Sequence, residues 1–276
     1  MNSVARMTRG VAAAVAVVCM AGCASGNRAA DDQRAALGDA AVKALVQRVR
    51  DLNAGAPDRF VASFTVEGTM HNRKNFKSLG SAMFLRDPLR MKVIFTDLIF
   101  KSPISMLVRN GDELRFYFPA ERKLVIDSAA KIDLNRYIEI DVDFLFLSQI
   151  ASGRVGTIEN FKASGGADAT GDPKAAGTTY LILENDRFYQ TIAFRNDLPE
   201  KILLVRKSNN HRFEFHFEAP AYQNNRFTCR SIRFISLARK DVIRLTFNRI
   251  NYNVAIDPEG VTDIPMDRKT ETIRVN

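Results

Sequence analysis

The stretch Leu89-Arg-Met-Lys-Val-Ile-Phe95 decides the fold class, because its apolar residues recur at every second position. Alternation of this kind predicts a β-strand with one buried face. The same period continues from Ile104 to Val108 and from Leu114 to Phe118, with Asn110-Gly111 between the two runs. The segment from Leu89 to Ile126 therefore predicts consecutive antiparallel strands that share an apolar face.

The turn between the second and third of these strands determines which side chains share a face. A two-residue Asn110-Gly111 loop would pair Met106 with Arg115 and put the two apolar rows on opposite faces. A three-residue loop, with Gly111 in the left-handed conformation, would instead pair Met106 with Leu114. We favour the second turn, because a one-residue slip would expose one apolar row to water.

Short alternating segments also fill the last third of the chain. Predicted strands there cover residues 178–184, 187–195, 201–207 and 212–217. In the final strand the apolar phase changes after Phe247 and resumes at Ile250, which predicts a bulge near Asn248-Arg249. A flat sheet of ten or more strands would leave an unburied face. The sequence therefore predicts a mainly β fold, with an incomplete, strongly curved antiparallel barrel and a few helices covering its concave face.

Two helices and one loop complete the predicted organisation. An amphipathic helix is predicted from Asp31 to Asn53, and a short buried helix from Asp143 to Gly153. The small-residue stretch 163–177 predicts a flexible surface insertion. Residues 32–276 then form a single domain.

The N-terminus has the pattern of an export signal. Arg6 and Arg9 precede the apolar run Val11–Val18, which is shorter than the roughly 20 residues that a membrane span needs. Met20-Ala-Gly-Cys23 resembles the lipobox of bacterial lipoproteins, which implies that residues 1–22 are removed and that Cys23 is lipidated. Residues 23–31 would form a lipidated tether. No Asp follows the cysteine, which in enterobacterial lipoproteins favours an outer-membrane location facing the periplasm.

Charge and cysteine content fit this envelope location. The formal net charge of +9 falls to +7 when the two signal-peptide arginines are removed. The basic residues are spread along strands, so we expect a solvated basic surface, and nucleic acid is excluded as a partner in this compartment. Cys229 would be the only unmodified cysteine, which excludes an intramolecular disulfide and indicates a core residue.

No catalytic or cofactor pattern is present in the sequence. His211 and His216 are five residues apart, so they would lie on opposite faces of a strand and could not share a metal. The His-Glu-x-x-His, Gly-x-Ser-x-Gly and P-loop motifs are all absent. We therefore expect a protein that is not an enzyme and that binds neither a cofactor nor a metal.

The 19 phenylalanines, in a chain without tryptophan, allow two interpretations. They could fill a core, or they could line a cavity, because a curled sheet with Ala-rich helices can leave part of its apolar wall uncovered. The candidate cavity-lining residues are Phe64, Val66, Met91, Val93, Phe95, Met106, Leu114, Phe116 and Phe118.

The turn before Pro103 is apolar where turns are usually polar. Leu98, Ile99 and Phe100 could form an exposed loop that touches a membrane or a cargo acyl group, with Lys101 beside lipid phosphates. They could equally pack under the N-terminal helix.

The order of these segments resembles the outer-membrane lipoprotein receptor LolB and its LolA-like relatives. The resemblance rests on Ser63-Phe-Thr-Val-Glu-Gly68, the basic strand Arg86–Phe95, the apolar turn Leu98–Ile104 and the Leu-Pro opening at 198–202. It implies an incomplete barrel closed by helices, with a cavity for lipoprotein acyl chains or lipids, and a membrane-active loop at Leu98, Ile99 and Phe100. The alternative is a lipid-anchored barrel that is packed shut and docks another envelope protein.

Overall fold

The computed structural model describes residues 34–71, 75–132, 134, 142–168 and 176–275. The helices are α1 (Asp39–Ala54), α2 (Phe144–Ala151) and α3 (Pro258–Thr262), with one 3-10 turn at Pro119–Glu121. The strands are β1 (Arg34–Ala36), β2 (Arg59–Thr69), β3 (Phe76–Leu85), β4 (Arg90–Thr96), β5 (Pro103–Asn110), β6 (Glu113–Phe118), β7 (Lys123–Ser128), β8 (Lys162–Asp168), β9 (Thr179–Glu184), β10 (Phe188–Arg195), β11 (Leu198–Arg206), β12 (His211–Glu218), β13 (Ala221–Gln223), β14 (Arg226–Thr228), β15 (Ser231–Ser236), β16 (Asp241–Tyr252) and β17 (Glu271–Arg274).

Fifteen of the strands form one sheet that does not close on itself. Its order is β1-β8-β9-β10-β11-β12-β15-β16-β2-β3-β4-β5-β6-β7-β17, and β13 and β14 form a separate hairpin. Neighbouring strands are antiparallel, except that β17 runs parallel to β7. The prediction of a mainly β, curved and incompletely closed antiparallel barrel with a few helices is confirmed.

Two apolar clusters fill the concave side of this sheet. The first lies on β9–β15 and includes Phe213, Phe215 and Phe217, which alternate inward along β12. Helix α1 contributes Val42, Val49 and Leu52 to it. The second lies on β2–β7. Helix α2 contacts both clusters, because its Phe146 packs in the first and its Phe144 in the second. Among the described residues, none of the helices has both the length and the apolar composition that a bilayer span requires.

The predicted bulge in the last long strand is present. Phe247 of β16 pairs with Phe64 of β2 and Arg249 pairs with Ser63, so Asn248 is the additional residue. Asn248 and Arg249 are both exposed. The bulge therefore lets apolar residues on both sides of it face the same cluster.

The predicted turn between β5 and β6 is wrong. Asn110 pairs with Glu113 and Met106 pairs with Tyr117, so Gly111-Asp112 is a two-residue loop. Met106 and Val108 therefore lie on the face opposite Leu114 and Phe116. That face is not exposed to water, because Met106 and Val108 pack with Tyr117, Leu124 and Ile264 in a third cluster. Helix α3, next to Ile264, packs on β4 and β5. The prediction failed because it assumed that only one face of these strands was covered.

The first part of the predicted insertion is also wrong. Residues 162–168 form β8, which pairs with β1 and with β9. The glycines there permit close packing: a Cβ on Gly165 would lie 3.1 Å from Leu37 Cδ1, and one on Gly166 would lie 2.9 Å from Arg34 Cβ. Residues 169–175 of the insertion lie outside the described residues.

Helix α1 begins later than predicted. Residues 34–36 are extended because they pair with β8, and Gly38 precedes the helix as its N-cap. Helix α1 ends at Ala54 as expected, followed by Gly55. Residues 31–33 of the predicted helix, like the signal segment 1–22 and the tether 23–31, lie outside the described residues.

Candidate functional site

A cavity of about 280 Å³ lies on the concave side, where the two clusters meet beneath α2. Strands β2 to β6 form one wall, strands β12, β15 and β16 form the other, and α2 crosses between them. Of the described residues that line it, Ser148 alone has a polar side chain. The arrangement therefore offers an apolar ligand a surface with almost no competing hydrogen-bond groups.

Most of the residues predicted to line a cavity lie in or beside this one. Five form part of its wall: Phe64, Met91, Val93, Phe95 and Phe116. Val66 and Leu114 are buried in the same cluster, and Phe118 packs against it. Met106 does not belong there, because the β5–β6 register turns it to the opposite face. The role of these residues in holding a ligand is a proposal.

Helix α2 covers the residues of this cavity. Its start is fixed by Asp143, whose Oδ1 accepts hydrogen bonds from the backbone N–H groups of Leu145 at 2.8 Å and Phe146 at 3.4 Å. Gly153, with φ +78°, follows its end. Phe144, Leu147 and Ile150 then face the cavity. Helix α1 packs on β8, β9 and β14, so it lies on the other half of the sheet from Phe116.

The second wall was missed at the level of the sequence. It comprises Phe215, Ile232, Phe234, Ile243, Leu245 and Phe247. The alternation of apolar residues along β12, β15 and β16 indicates that these side chains point inward. It does not indicate which cavity they face. Sequence order separates them from β4, and the pairing of β16 with β2 brings them together.

The apolar turn between β4 and β5 is exposed at its tip. Ile99 and Phe100 are 79% and 80% exposed, whereas Leu98 is half-buried. Asp97 shapes this turn, because its Oδ1 accepts hydrogen bonds from the N–H groups of Ile99 and Phe100, each at 2.8 Å. These bonds, first that from Phe100 and then that from Ile99, lower the pKa of Asp97. We call residues 98–100 the apolar tip. The alternative in which all three residues pack as core does not hold for Ile99 and Phe100.

Cys229 lies against the first cluster, as expected for a core cysteine. Burial raises the pKa of its thiol to about 12, so it carries no thiolate at neutral pH. Within the described ranges, no three metal-ligating side chains come together.

Several solved structures share this architecture over most of their length. A Vibrio parahaemolyticus domain named for outer-membrane lipoprotein sorting superposes with a TM-score of 0.58 at 9% identity, over 80% of this chain and 95% of that one. A LolA superfamily protein from Nitrosomonas europaea gives 0.55 at 10% identity, over 80% and 97%. A DUF1329 family protein from Desulfovibrio piger gives 0.56 at 11% identity, over 78% and 95%.

This chain has a LolA-like fold. The resemblance predicted from the sequence is thereby confirmed at the level of the fold. No protein-family model matches the sequence, and no curated protein matches it. Identities of 9–11% reflect the fold alone, so the evidence for a function lies in the cavity and surface of this chain itself.

Proposed function

We propose that this LolA-like chain is a lipid-anchored protein of the bacterial envelope that holds or transfers acyl chains of lipoproteins or lipids. The observation that carries the proposal is the apolar lining of the 280 Å³ cavity, in which Ser148 is the only polar side chain among the described residues. Apolar cavities of about 150 Å³ already stay dry and bind benzene. An acyl chain would gain about 0.8 kcal/mol for each methylene that it buries there.

The alternative, a structural barrel that is packed shut, has less support. Protein cores are close-packed and contain few voids larger than a water molecule. A cavity of about 280 Å³ is close to the lower end of the roughly 300–1,000 Å³ that ligand sites occupy. A barrel with no ligand would be more stable if larger side chains filled this space.

Two features at separate places in the chain support the proposed membrane location. We propose that Cys23 carries the lipid anchor and that the protein lies at the outer membrane, facing the periplasm. The apolar tip would then touch the bilayer or the acyl group of a cargo, with Lys101 next to lipid phosphates. A second envelope protein is the proposed source or recipient of the ligand.

The proposal is tested by native mass spectrometry of a soluble Cys23→Ala form. We expect co-purified lipid, and we expect Ala82→Leu to reduce it, because Ala82 lines the cavity and a larger side chain there occupies ligand space. Ser81→Leu is the matched control, since Ser81 is exposed and precedes Ala82 on β3. A lipid-free parent protein, or equal lipid content in both variants, would contradict the proposal.

A further inference from the structure

A second cavity, of about 340 Å³, adjoins the apolar one and shares Phe84, Met91 and Ser148 with it. Its lining is different in kind, because it includes three arginines, Arg86, Arg109 and Arg154. We call this second cavity the arginine cleft. Ser148 stands at the boundary, where its Oγ accepts a hydrogen bond from Arg109 Nη1 at 3.1 Å.

Arg109 is built into the concave face of the sheet. It pairs across strands with Met91, a residue of the apolar cavity wall, and is only 8% exposed. Its Nε donates to the carbonyl of Gly111 at 2.9 Å, and its guanidinium lies 5.6 Å from the centre of the Phe144 ring. These contacts, with the hydrogen bond to Ser148, fix the Nε and Nη1 groups of Arg109 at the boundary between the two cavities.

The other two arginines are held by the ends of the helices. Arg86 donates to the carbonyls of Ala56 and Pro57, just after α1, and pairs with Asp58 at 3.1 Å. The backbone N–H of Arg154, just after α2, donates to the carbonyl of Gln149 at 3.0 Å. Asn53 of α1 fixes the next residue, because its Oδ1 accepts from the N–H of Val155 at 2.7 Å. The cleft is therefore positioned by both helices and the sheet.

The positive charges in the cleft exceed the carboxylates that pair with them. Within the described part of the chain, Arg109 and Arg154 have no carboxylate at ion-pair distance, and Glu159 at the rim forms no ion pair. Asp58, the partner of Arg86, has a side chain that is 78% exposed. The Nε atoms of Arg86 and Arg154 are buried without a hydrogen-bond acceptor among the described residues.

Burial dominates the electrostatics of Arg109 and Arg154. It lowers the pKa of Arg109 below its usual range, against a smaller opposing effect of the Asp112 carboxylate. Burial, and then the charge of Arg86, lower the pKa of Arg154, and the exposed Asp58 carboxylate opposes this less strongly. Clustered and partly buried like charges are costly unless an anion neutralises them. A phosphate offers several acceptor oxygens to guanidinium groups, which bind such oxygens in bidentate geometry.

We infer that the arginine cleft binds the phosphate group of an amphiphile whose alkyl chain occupies the adjoining apolar cavity. The inference rests on the proposed acyl-binding function and narrows it. A lipoprotein anchor with a thioether-linked diacylglyceryl group and an acylated amine carries no phosphate, so the cleft favours phosphate-bearing lipids as ligands. A carboxylate offers only two oxygens and would satisfy fewer of the guanidinium donors.

The test compares two soluble amphiphiles with the same chain, dodecyl phosphate and the uncharged dodecyl maltoside, on the delipidated Cys23→Ala protein. Isothermal titration below the micellar range should give about ten-fold tighter binding of dodecyl phosphate, the size expected for charge-assisted hydrogen bonds. Arg154→Gln should remove most of this preference, because it should weaken dodecyl phosphate binding far more than dodecyl maltoside binding. Arg154→Lys, which keeps the charge, should retain part of it. Arg249→Gln is the matched control, because it removes one exposed positive charge from the bulge.

The possible failures are distinguishable. Equal affinities of the parent protein for the two amphiphiles would overturn the phosphate assignment and leave the acyl-binding function standing. Binding of neither amphiphile would overturn the acyl-binding function itself. Inorganic phosphate that binds as tightly as dodecyl phosphate would show a plain anion site and overturn the assignment to an amphiphile. A preference for dodecyl phosphate that is undiminished in Arg154→Gln would place the phosphate outside the arginine cleft and overturn the inference.

Discussion

The ring of Phe64 lies directly over Gly80, its partner across strands β2 and β3. A Cβ placed on Gly80 would come within 2.1 Å of Phe64 Cε2. The same ring packs edge-to-face on Phe95, with the centroids 6.1 Å apart. Gly80 therefore provides the space that lets an aromatic side chain lie flat along the wall of the apolar cavity.

The first prediction concerns this contact. Gly80→Ala should lower the free energy of unfolding. Overpacking destabilises the folded state by about 1–3 kcal/mol, whereas the reduced conformational freedom of the unfolded chain stabilises the protein by only about 0.4–1 kcal/mol. The displaced Phe64 ring should also reduce lipid uptake. Urea denaturation measures the first effect and native mass spectrometry the second. Ser81→Ala, at the next and exposed position, should change stability by less than about 0.5 kcal/mol. A similar small change in Gly80→Ala would refute the prediction.

The apolar tip provides the second prediction. Replacing Ile99 with Ser and Phe100 with Asn should leave the melting temperature unchanged, because both side chains are largely exposed. Co-sedimentation with phosphatidylethanolamine–phosphatidylglycerol vesicles should fall by more than about ten-fold, since each side chain that enters a bilayer contributes about 1.5–3 kcal/mol. Leu237→Ser, which changes an exposed leucine in another loop, is the control. Equal vesicle binding in all three proteins would exclude a membrane role for the tip.

The third prediction concerns acid stability. Glu214 is hydrogen-bonded to His216 at 2.8 Å and to Lys201 at 2.6 Å, and these contacts, His216 first, lower its pKa from 4.5 to about 2. Because the pKa of Glu214 is lower in the folded state than in the unfolded state, its carboxylate stabilises the fold. This stabilisation is complete above pH 4.5 and is lost as the pH falls towards 2. The stability difference between the parent and Glu214→Gln should therefore be largest above about pH 5 and shrink below it.

Chemical denaturation across this pH range measures the difference. Glu184→Gln is the control, because Glu184 and Lys207 form an exposed pair at 2.6 Å. Exposed pairs contribute only about 0.2–1 kcal/mol, so the control should lower stability less than Glu214→Gln at neutral pH. A Glu214→Gln difference that stays constant from pH 7 to pH 2 would rule out the Glu214 carboxylate as its source.

The fourth prediction uses the bulge in β16. Deleting Asn248 should be tolerated, because Phe247 and Arg249 would then face the consecutive residues Phe64 and Ser63 of β2 without a change of phase. Deleting Thr246 should abolish folding or strongly reduce it. The apolar residues of β16 on one side of the deletion would then point to solvent and no longer to the apolar cluster on β2–β7. Soluble yield and circular dichroism distinguish the two deletions. Equal damage from both would show that the bulge itself is needed.

The fifth prediction tests the anchor. Cys23→Ala should leave an uncleaved or soluble precursor, because the thiol that would accept the diacylglyceryl group is gone. Detergent-phase partitioning of cell extracts measures this change. Cys19→Ala is the control, since Cys19 lies within the segment that is predicted to be removed, so its substitution should not alter partitioning. Unchanged partitioning of Cys23→Ala would exclude lipidation at that residue.

Local periodicity predicted much of the fold, because it depends only on which residues face the core. The alternation from Leu89 to Phe95 gave a strand, and the phase change after Phe247 gave the bulge. The β5–β6 turn could not be chosen in this way, because the cover over Met106 comes from Ile264, far along the chain. Gly165 and Gly166 suggested flexibility, whereas they permit β1 and α1 to pack closely on β8.

The candidate site was predicted only in part for a related reason. One wall of the cavity comes from neighbouring strands, so its residues could be found from their spacing. The arginine cleft is formed by Arg86 after β3, Arg109 on β5 and Arg154 after α2, which the fold alone brings together. No local pattern marks those residues, because each one taken separately looks like an ordinary surface arginine.

The sheet is bounded on both sides by short strands from opposite ends of the described chain. β1, with three residues, forms one edge, and β17, with four residues, forms the other. Exposed edges of long strands are templates for pairing with other molecules, and short edge strands limit this hazard. Removing residues 271–274 would uncover β7, and removing residues 34–36 would uncover β8. Expression variants shortened at either end are therefore expected to self-associate through bare strand edges, even though neither β1 nor β17 contributes a residue to the apolar cavity.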